Sequence, residues 1–588
     1  MVLVVLLNAC ITWLGNVLNP VFQQSLCSII LRQMAESNKV KIKEGSAEIL
    51  SEGHVFYNPV QQFNRDLSIC VLNAFSKQYQ TELKTRKKSA AADVVVAIPN
   101  EDDQCQVGVK CETGLNILEA LSATGLRSIR YAKEVPGIKT IMANDLSIEA
   151  VESIKENVKN NGVDHLVVPH MADAKVLMYT SMSDEKRFNV IDLDPYGSPS
   201  RFLDATVQSV SEGGLLLITA TDMAVFSGST PEACFVKYGS IPLKARCCHE
   251  MAIRILLHTI ETTANRYGKY IKPLLSVSAD FYIRVFLRVY SSPLMCKRSS
   301  SKQSWVYQCT GCDTLTLQSL GIIKPNPSQS NPNQVKFGIP TGPAVNSHCA
   351  HCNHRHHTGG PIWSAPIHDA EFLALLMSTI QTERLKALVT HPRVLGMLSV
   401  IQEELHDVPL YYDIGKLCSI LKLEMMPVLT LRSALLHAKY RVSFSHACRQ
   451  SLKTDAPMEV VWDILRCWEK LHPVKKDRFL NGTSLKAILE KEPSNEYNLV
   501  DIHPEANPES RKKSLARFPE NPAAHWGPGT RSTLMVSDNK MLKSIRNQNK
   551  NKKPRNVGDD LQNLTIKRQK KDEPTTEVEG PSISMDDK

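Results

Sequence analysis

Short apolar runs alternate with segments of helical periodicity between residues 115 and 222, and this alternation constrains the fold more than any other feature of the chain. Each run ends in acidic or turn-forming residues, as a buried strand does when its carboxyl end opens at the edge of a sheet. Strands that alternate with helices predict a parallel, doubly wound α/β sheet. The predicted strands are residues 115–120, TIMAND (140–145), LVVPHMADA (166–174), FNVIDLD (188–194) and GGLLLITATD (213–222).

Two later segments extend this pattern. A long helical pattern covers residues 241–267. PLLSVSADFYIRVFLRVY (273–290) then supplies two strand-like runs without a helix between them, which predicts an antiparallel edge of the sheet.

The segment before the first strand also has helical features. A helix that begins after Pro59 would place Phe63, Leu67 and Cys70 on one face, as ordinary amphipathic packing requires. Residues 80–112 are charged and lack clear periodicity, so we expect a loop there.

Three carboxylates directly follow consecutive predicted strands: Asp145, Asp173 and Asp194. Each alone is the kind of residue that caps a helix or forms a turn. Together they would lie along one rim of the sheet, where an acid after the second strand suits ribose hydroxyls and one after the third suits an adenine amino group. A dinucleotide site is disfavoured, because Gly125 stands alone where G-x-G-x-x-G would follow the first strand.

The fourth predicted strand runs into VIDLDPYGSP, residues 190–199. On its own, Asp194-Pro195 could be a simple turn. At the carboxyl end of a strand, however, Asp194, Pro195 and Tyr196 suit methyl transfer to an amino nitrogen. The carboxylate and nearby carbonyls would accept the N–H hydrogen bonds, and the tyrosine ring would stack on a planar base.

Four cysteines form a candidate metal site. Cys309 and Cys312 form one C-x2-C pair, Cys349 and Cys352 form another, and 36 residues separate the pairs. Two such pairs match the ligands of a structural, tetrahedral zinc ion better than a redox or catalytic role. The histidines near the second pair are expected to be exposed or to lie outside the ligand set, and the other cysteines to serve in packing.

Composition limits the class of protein. A chain of 588 residues is too long for one core, and its net charge of +10 and pI of about 8.8 suit nucleic acid. Its 16 cysteines show no secretory spacing, which indicates a reducing compartment.

Both ends of the chain differ from the middle. Residues 1–31 are apolar and precede the first charge at Arg32, so they indicate an alternative start, a weak targeting segment or a membrane anchor. Residues 540–571 hold 11 Lys or Arg and two Asp, which predicts a disordered basic tail that could aid nuclear import or contact RNA.

Residues 363–475 are rich in helical patterns, and basic residues recur there beside aromatic ones. These cations could form a phosphate-binding face, although solvated helix surfaces have the same composition. They are Arg432, Lys439, Arg441 and Arg449.

Several segments together resemble the tRNA (guanine-26, N2)-dimethyltransferase family over about residues 54–525. They are FYNPVQQFNRD, LSATGLRSIR, ANDLS, MADA, IDLDPYGSP, TATDMAVFSG and KYGSIPLKARCCHEMAIRILLH. SALLHAKYRVSFSHACRQSLKTDAP and WDILRCWEK resemble the family's carboxyl-terminal domain.

The resemblance implies a Rossmann-like class I methyltransferase sheet followed by a family-specific α+β zinc-containing domain. It implies S-adenosyl-L-methionine as methyl donor and tRNA as partner, with N2 of guanine 26 methylated once or twice. The implied donor contacts are Arg65, Arg127, Asp145, Asp173 and Ala174, with Arg127 and Arg130 as alternatives at one position. The residues implied around the target guanine are Phe56, Asp194, Pro195 and Tyr196.

The expected organisation follows from these assignments. It comprises an N-terminal extension (1–45), a methyltransferase domain (46–270), a tRNA-binding domain with the four-cysteine zinc site (271–500) and a mostly disordered basic tail (501–588). We expect a monomer without a stable membrane partner, located in the nucleus, with the cytoplasm and mitochondrion as further locations to consider. The alternatives are a methyltransferase for amino groups of another RNA or a protein, and a noncatalytic RNA-binding protein.

Overall fold

The computed structural model describes residues 40–51, 57–90, 105–327 and 334–518, all within one compact unit. The predictions for Phe56, for the apolar segment 1–31 and for the basic tail at 540–571 fall outside these residues. In the described ranges, no helix is both long and apolar enough to cross a membrane.

A hairpin and a long helix precede the central sheet: β1 (Val40–Glu44), β2 (Ala47–Ser51) and α1 (Gln62–Ala90). The hairpin begins inside the expected N-terminal extension. Side-chain amides hold it in place, since Asn157 bonds both backbone groups of Leu50, and Asn161 bonds both of Glu48.

The start of α1 was predicted correctly, and Phe63, Leu67 and Cys70 are buried. Every residue from 63 to 76 is buried, so this part of the helix is enclosed on all sides. The predicted loop at 80–112 is wrong for residues 80–90, which continue α1. Gln80, Glu82, Leu83 and the basic residues that follow them have high helix propensity, so they favour a helix even without an apolar face.

The predicted alternation forms one seven-stranded sheet. In chain order, its strands and the neighbouring helices are β3 (Leu115–Glu119), α2 (Leu126–Glu134), β4 (Ile138–Asp145), α3 (Ile148–Asn160), β5 (Val167–Met171), α4 (Ala174–Thr180), β6 (Phe188–Leu193), α5 (Leu203–Ser209), β7 (Val210–Ala220), α6 (Met223–Phe226), α7 (Pro231–Tyr238), α8 (Cys248–Asn265), β8 (Lys269–Ala279) and β9 (Tyr282–Ser291).

The strand order is β5-β4-β3-β6-β7-β9-β8. β3 to β7 are parallel, whereas β9 pairs antiparallel with β7 and β8 pairs antiparallel with β9, as predicted. The order reverses between β3 and β6, and such a switch point opens a crevice beyond the carboxyl ends of the strands.

The centre of the sheet is apolar because hydrophobic cores lie on both sides. Leu215 and Leu217 of β7 belong to one core, and Leu216 and Ile218 to the other. Alternate residues of the same strand therefore face opposite helical layers.

The second half of the chain contains helices and short strands. In chain order they are α9 (Pro293–Lys297), β10 (Gln303–Cys309), β11 (Leu315–Ser319), β12 (Ile322–Pro325), β13 (Val335–Gly338), β14 (His356–Trp363), α10 (Ala370–Thr379), α11 (Glu383–Lys386), α12 (His391–Glu403), β15 (Tyr412–Asp413), α13 (Ile414–Ile420), α14 (Val428–His437), β16 (Val442–Ser445), β17 (Cys448–Thr454), α15 (Met458–Leu471), α16 (Ser484–Leu489) and α17 (Glu509–Lys512). The expected domain boundary at residue 270 lies inside β8, so a boundary after Ser291 would keep the sheet whole.

Part of the segment that follows residue 500 is packed against α12. The backbone N–H of Ser510 donates to the Glu403 carboxylate over 2.7 Å. The backbone of Ala516 lies so close to Gly396 that no larger residue would fit at position 396.

Two of the four cations considered as a phosphate-binding face have partners within the protein. Arg432 is buried and donates to the carbonyl of Ala506. Arg441 forms ion pairs of 2.7 Å with both Asp407 and Asp455. These two arginines therefore do not form the free phosphate-binding surface considered above.

One cysteine pair differs from the expectation of reduced, packing cysteines. Cys105 and Cys111 form a disulfide across a short turn before β3. Local proximity explains the pairing, since their Cα atoms are 5.5 Å apart.

Arg130 of α2 is fully buried and joins the hairpin to two helices. Its guanidinium lies 2.8 Å from Glu44 of β1, 2.7 Å from Asp66 of α1 and 2.8 Å from Glu134 of α2. Three buried carboxylates thus contact this cation, and Glu44 also pairs with Arg65.

We expect Arg130→Met to lower the free energy of unfolding by about 3–5 kcal/mol, because it removes the cation that pairs with the buried carboxylates of Asp66 and Glu134. Urea denaturation would measure the change. Lys155→Met is the matched control, since Lys155 pairs with Glu152 on the surface and should cost no more than about 1 kcal/mol. Equal effects of the two substitutions would contradict the prediction.

Candidate active site and metal centre

A cavity of about 720 Å³ opens beyond the carboxyl ends of the parallel strands, within the usual size range of small-molecule sites. It lies at the switch point between β3 and β6. Its walls come from residues 57–65 at the start of α1, the β3–α2 turn, the ends of β4 and β6, Thr221 after β7, and Phe281.

The β3–α2 turn forms one wall and depends on left-handed backbone. Ala123 has φ 49° and Gly125 has φ 75°. The Asp145 carboxylate accepts the N–H of Ala123 over 2.9 Å and thereby ties the turn to the end of β4. A single glycine and one carboxylate therefore shape the turn that a glycine-rich loop would otherwise form.

The predicted rim of three carboxylates is only partly assembled around this cavity. Asp145 and Asp194 line it. Asp173 and Ala174 are not among the described residues that line it. Asp173 instead caps α4 by accepting the N–H of Lys175 over 2.8 Å.

The turn after β6 contributes Asp194, Pro195 and Tyr196 to the cavity wall. Tyr196 is 41% exposed, so its ring is accessible to a ligand. Phe56 lies outside the described residues, but its neighbours Tyr57 and Asn58 also line the cavity.

Arg127 is the cation beside Asp194. Its guanidinium contacts the Asp194 carboxylate, lies 3.3 Å from Asp192 and donates to Asn64 over 3.0 Å. Burial alone would lower the pKa of Arg127, but Asp192 and the other nearby acids raise it well above its usual value.

The structure distinguishes the two arginines that the sequence left as alternatives. Arg127 lines the cavity, whereas Arg130 pairs with carboxylates behind it. Arg65 also lines the cavity, and Glu44 holds it through two hydrogen bonds of 2.6 Å.

Two buried acids of this site were missed by the sequence analysis. Glu119 ends β3 and lines the cavity, and burial raises its pKa to about 7 even though Arg127 acts in the opposite direction. Asp192 lies within β6, where burial alone would raise its pKa but Arg127 and Arg284 hold that pKa below the usual value. Their positions near the ends of strands could have identified them, because the same criterion selected Asp145.

The arrangement offers oriented carboxylates and an accessible aromatic ring around one cavity. Buried or half-buried carboxylates are acceptors for hydroxyl and amino groups, and the ring provides a surface for a planar group. The cavity can therefore hold a polar, nucleoside-like ligand beside an amino group that faces Asp194.

The four predicted metal ligands meet at the end of β10. All four cysteines are buried, and their sulfur atoms lie within 4.8 Å of one another. Both pairs have the same local shape, because the residue after each second cysteine is left-handed: Asp313 with φ 58° and Asn353 with φ 61°.

The sulfur spacing fits a tetrahedral zinc ion. The Cys309 and Cys352 sulfurs are 3.3 Å apart and those of Cys312 and Cys349 are 3.6 Å apart. A zinc–sulfur distance of about 2.3 Å requires roughly 3.8 Å between sulfurs, which small adjustments would reach. Four thiolates leave no open position, so the site suits a structural role.

A second group of ligand-type side chains already pairs with other groups of the protein. It contains His368, Glu404 and His446. The Lys453 ammonium lies 2.8 Å from the Glu404 carboxylate, and the N–H of Ser278 donates to the His446 ring. The carboxylate of this group therefore already has a cation as its partner.

Comparison with known proteins identifies the family. Residues 36–466 match the family model described as N2,N2-dimethylguanosine tRNA methyltransferase. A Drosophila melanogaster protein named tRNA (guanine(26)-N(2))-dimethyltransferase is 59% identical over 521 residues, which cover 87% of this chain and 90% of that protein. A Saccharomyces cerevisiae protein with the same name and the addition "mitochondrial" is 37% identical, with 83% and 92% covered.

A solved structure is similar over most of the described fold. It is the complex of Trm1 from Pyrococcus horikoshii with S-adenosyl-L-methionine, with a TM-score of 0.56 and 28% identity. The match covers 72% of this chain and 98% of that one. The family model matches most of this chain, and this chain covers almost all of the Drosophila relative. The chain therefore belongs to the N2,N2-dimethylguanosine tRNA methyltransferase family.

Proposed function

We propose that this protein transfers one or two methyl groups from S-adenosyl-L-methionine to N2 of guanine 26 in tRNA. The names of its relatives support this substrate, and the bound ligand of the Pyrococcus protein supports the donor. The observation that carries the proposal is that Asp145, at the end of β4, and the Asp194–Tyr196 turn line one cavity.

The donor would lie along the β3–α2 turn. Asp145 would accept hydrogen bonds from its ribose hydroxyls, and Arg65 and Arg127 would bind its carboxylate. Asp173 and Ala174 would then contact the adenine end beyond the wall of the cavity. The donor supplies an electrophilic methyl group on its sulfonium sulfur.

The guanine would lie against the turn after β6. Its N2 amino group would donate to Asp194 and to a backbone carbonyl near Pro195, while Phe56 and Tyr196 would stack on the ring. The base must leave its own stack, at a cost of a few kcal/mol, and aromatic stacking returns roughly 1–3 kcal/mol.

Catalysis would then depend on alignment. N2 is a weak nucleophile because its lone pair is delocalised into the ring. Hydrogen bonds from N2 to Asp194 favour a pyramidal nitrogen whose lone pair points at the methyl carbon. As the carbon–nitrogen bond forms and the carbon–sulfur bond breaks, the electron pair of the broken bond stays on sulfur, which becomes a neutral thioether. The carboxylate stabilises the positive charge on N2 until a proton passes from N2 to water.

The test of the function is transfer of a labelled methyl group to tRNA transcripts with guanine or adenine at position 26. Transfer should require the guanine, and nuclease digestion should give N2-methylated guanosine. Equal transfer to both transcripts would refute the assignment of position 26. Methylation of proteins but not of tRNA would favour a different methyltransferase.

For Asp194→Asn, we expect single-turnover methylation to slow by about 10²–10³-fold, since one preorganised electrostatic contact is removed. Donor affinity, measured by calorimetry, should be retained because Asp145 is unchanged. Asp145→Ala should instead weaken donor binding.

Asp184→Asn is the control for Asp194→Asn, because Asp184 pairs with Arg187 on the surface. It should leave both measurements unchanged. Near-normal turnover of Asp194→Ala would contradict the proposed role and leave Asp194 as a turn residue.

We further propose that the four cysteines bind a structural zinc ion. Cys312→Ser should reduce bound zinc and lower the thermal midpoint more than it lowers the methylation rate of the protein that remains folded. Metal analysis and calorimetry measure these effects, with Cys467→Ser, outside the cluster, as control. A purified, normally folded protein without zinc would disprove this proposal.

The basic tail is proposed to direct nuclear import and to add nonspecific affinity for tRNA. Removal of residues 540–588 should reduce nuclear accumulation of a fluorescent fusion, weaken tRNA binding and flatten its salt dependence. Unchanged nuclear accumulation would reject the import role, and an unchanged salt slope would reject the RNA role.

A further inference from the structure

The turn that carries Asp194 is held from behind by a chain of hydrogen bonds. The Ser198 hydroxyl lies 2.7 Å from the Tyr238 hydroxyl. The Tyr238 hydroxyl in turn lies 2.9 Å from one oxygen of Asp222 and 3.0 Å from the other. Neither Tyr238 nor Asp222 is among the described residues that line the cavity.

The direction of these hydrogen bonds follows from chemistry. Burial, together with the Asp222 carboxylate, raises the pKa of Tyr238, so its hydroxyl keeps its proton. The Tyr238 hydroxyl therefore donates its hydrogen bond to the Asp222 carboxylate, which can only accept. The tyrosine oxygen in turn accepts a hydrogen bond from the Ser198 hydroxyl. The Lys237 ammonium, 3.2 Å from Asp222, stabilises the carboxylate.

A second contact, made by Thr221 directly after β7, fixes Gly197, the residue before Ser198. The N–H of Gly197 donates to the Thr221 hydroxyl over 2.9 Å, and the N–H of Thr221 donates to the Gly197 carbonyl over 3.0 Å. Gly197 has φ 87°, which other residues rarely adopt. Gly197 is therefore tied directly to Thr221, and Ser198 is tied to Asp222 through Tyr238.

Tyr238 is itself held rigidly. Its side chain is 1% exposed, and its ring lies 4.4 Å from that of Phe226. Its carbonyl accepts the Thr259 hydroxyl of α8 over 2.8 Å. The hydroxyl that binds Ser198 therefore has a fixed position relative to β7 and α8.

We propose that Tyr238 and Asp222 are positioning residues for methyl transfer, which act through Ser198 to fix the Asp194–Tyr196 turn against the bound base. The inference rests on the proposed function and extends it to residues that touch neither donor nor base. Without the chain of hydrogen bonds, the turn would sample orientations in which Asp194 and N2 are misaligned.

The test compares Tyr238→Phe, Ser198→Ala and the double variant in the full-length protein. With saturating donor and tRNA, each single variant should lower the single-turnover rate by about tenfold to a hundredfold, since misplacement by about 1 Å can cost about 10²-fold. Donor affinity should change by no more than about twofold, because Asp145 and the β3–α2 turn are untouched. The double variant should be no slower than the slower single variant, as both remove the same hydrogen bond.

Tyr179→Phe is the matched control. Its hydroxyl also donates to a carboxylate, Asp204, over 2.7 Å, but on an exposed surface. It should change the thermal midpoint little and leave the methylation rate unchanged.

Three outcomes would overturn the inference. They are full activity of both single variants, additive losses in the double variant, and a fall in donor affinity that matches the fall in rate. If Tyr238→Phe fails to fold, Ser198→Ala decides the question alone. Failure of the proposed function is distinguishable, because the wild-type protein would then fail to methylate guanine 26 while all variants could still be compared for donor binding.

Discussion

The paired charges beneath the cavity are the interaction on which the active-site edge depends. Asp192, 1% exposed inside β6, lies 3.3 Å from the guanidinium of Arg127 and 2.9 Å from that of Arg284. A lone carboxylate there would be strongly destabilising, so α2 and β9 must each supply an arginine. Arg127 also contacts Asp194. The pairing that stabilises Asp192 in the core therefore also fixes a cation beside Asp194, the candidate acceptor.

The central sheet could be predicted from the sequence because its signals are local. Apolar runs, caps such as Ser147 and turn residues specify each strand and helix within a few positions of the chain. The burial of α1 could not be predicted in this way. Thr390 bonds Asp66, and Arg393 lies over the Phe63 ring, so contacts more than 300 residues apart in the chain turn an apparently amphipathic helix into a core helix.

The same division applies to the candidate site. Asp145 and Asp194 were found because each follows an apolar run, and the structure places both at the cavity. Asp173 follows the same rule but caps α4 outside the cavity wall. A position directly after a strand therefore does not by itself place a side chain at the cavity. Glu119 and Asp192 were missed because their significance lies in partners from other elements, such as Arg284, 92 residues beyond Asp192.

The pairing of Arg127 with Asp194 limits what this carboxylate can contribute. The Arg127 guanidinium holds the Asp194 carboxylate in one orientation, so this acid can serve as an oriented hydrogen-bond acceptor for an amino group. An amino group whose lone pair is delocalised gains more from being held at the correct angle than from a strong base, since its proton becomes acidic only as the new bond forms. Geometry must then come from the backbone of the turn, which is held by Thr221 at Gly197 and by Tyr238 of α7 at Ser198.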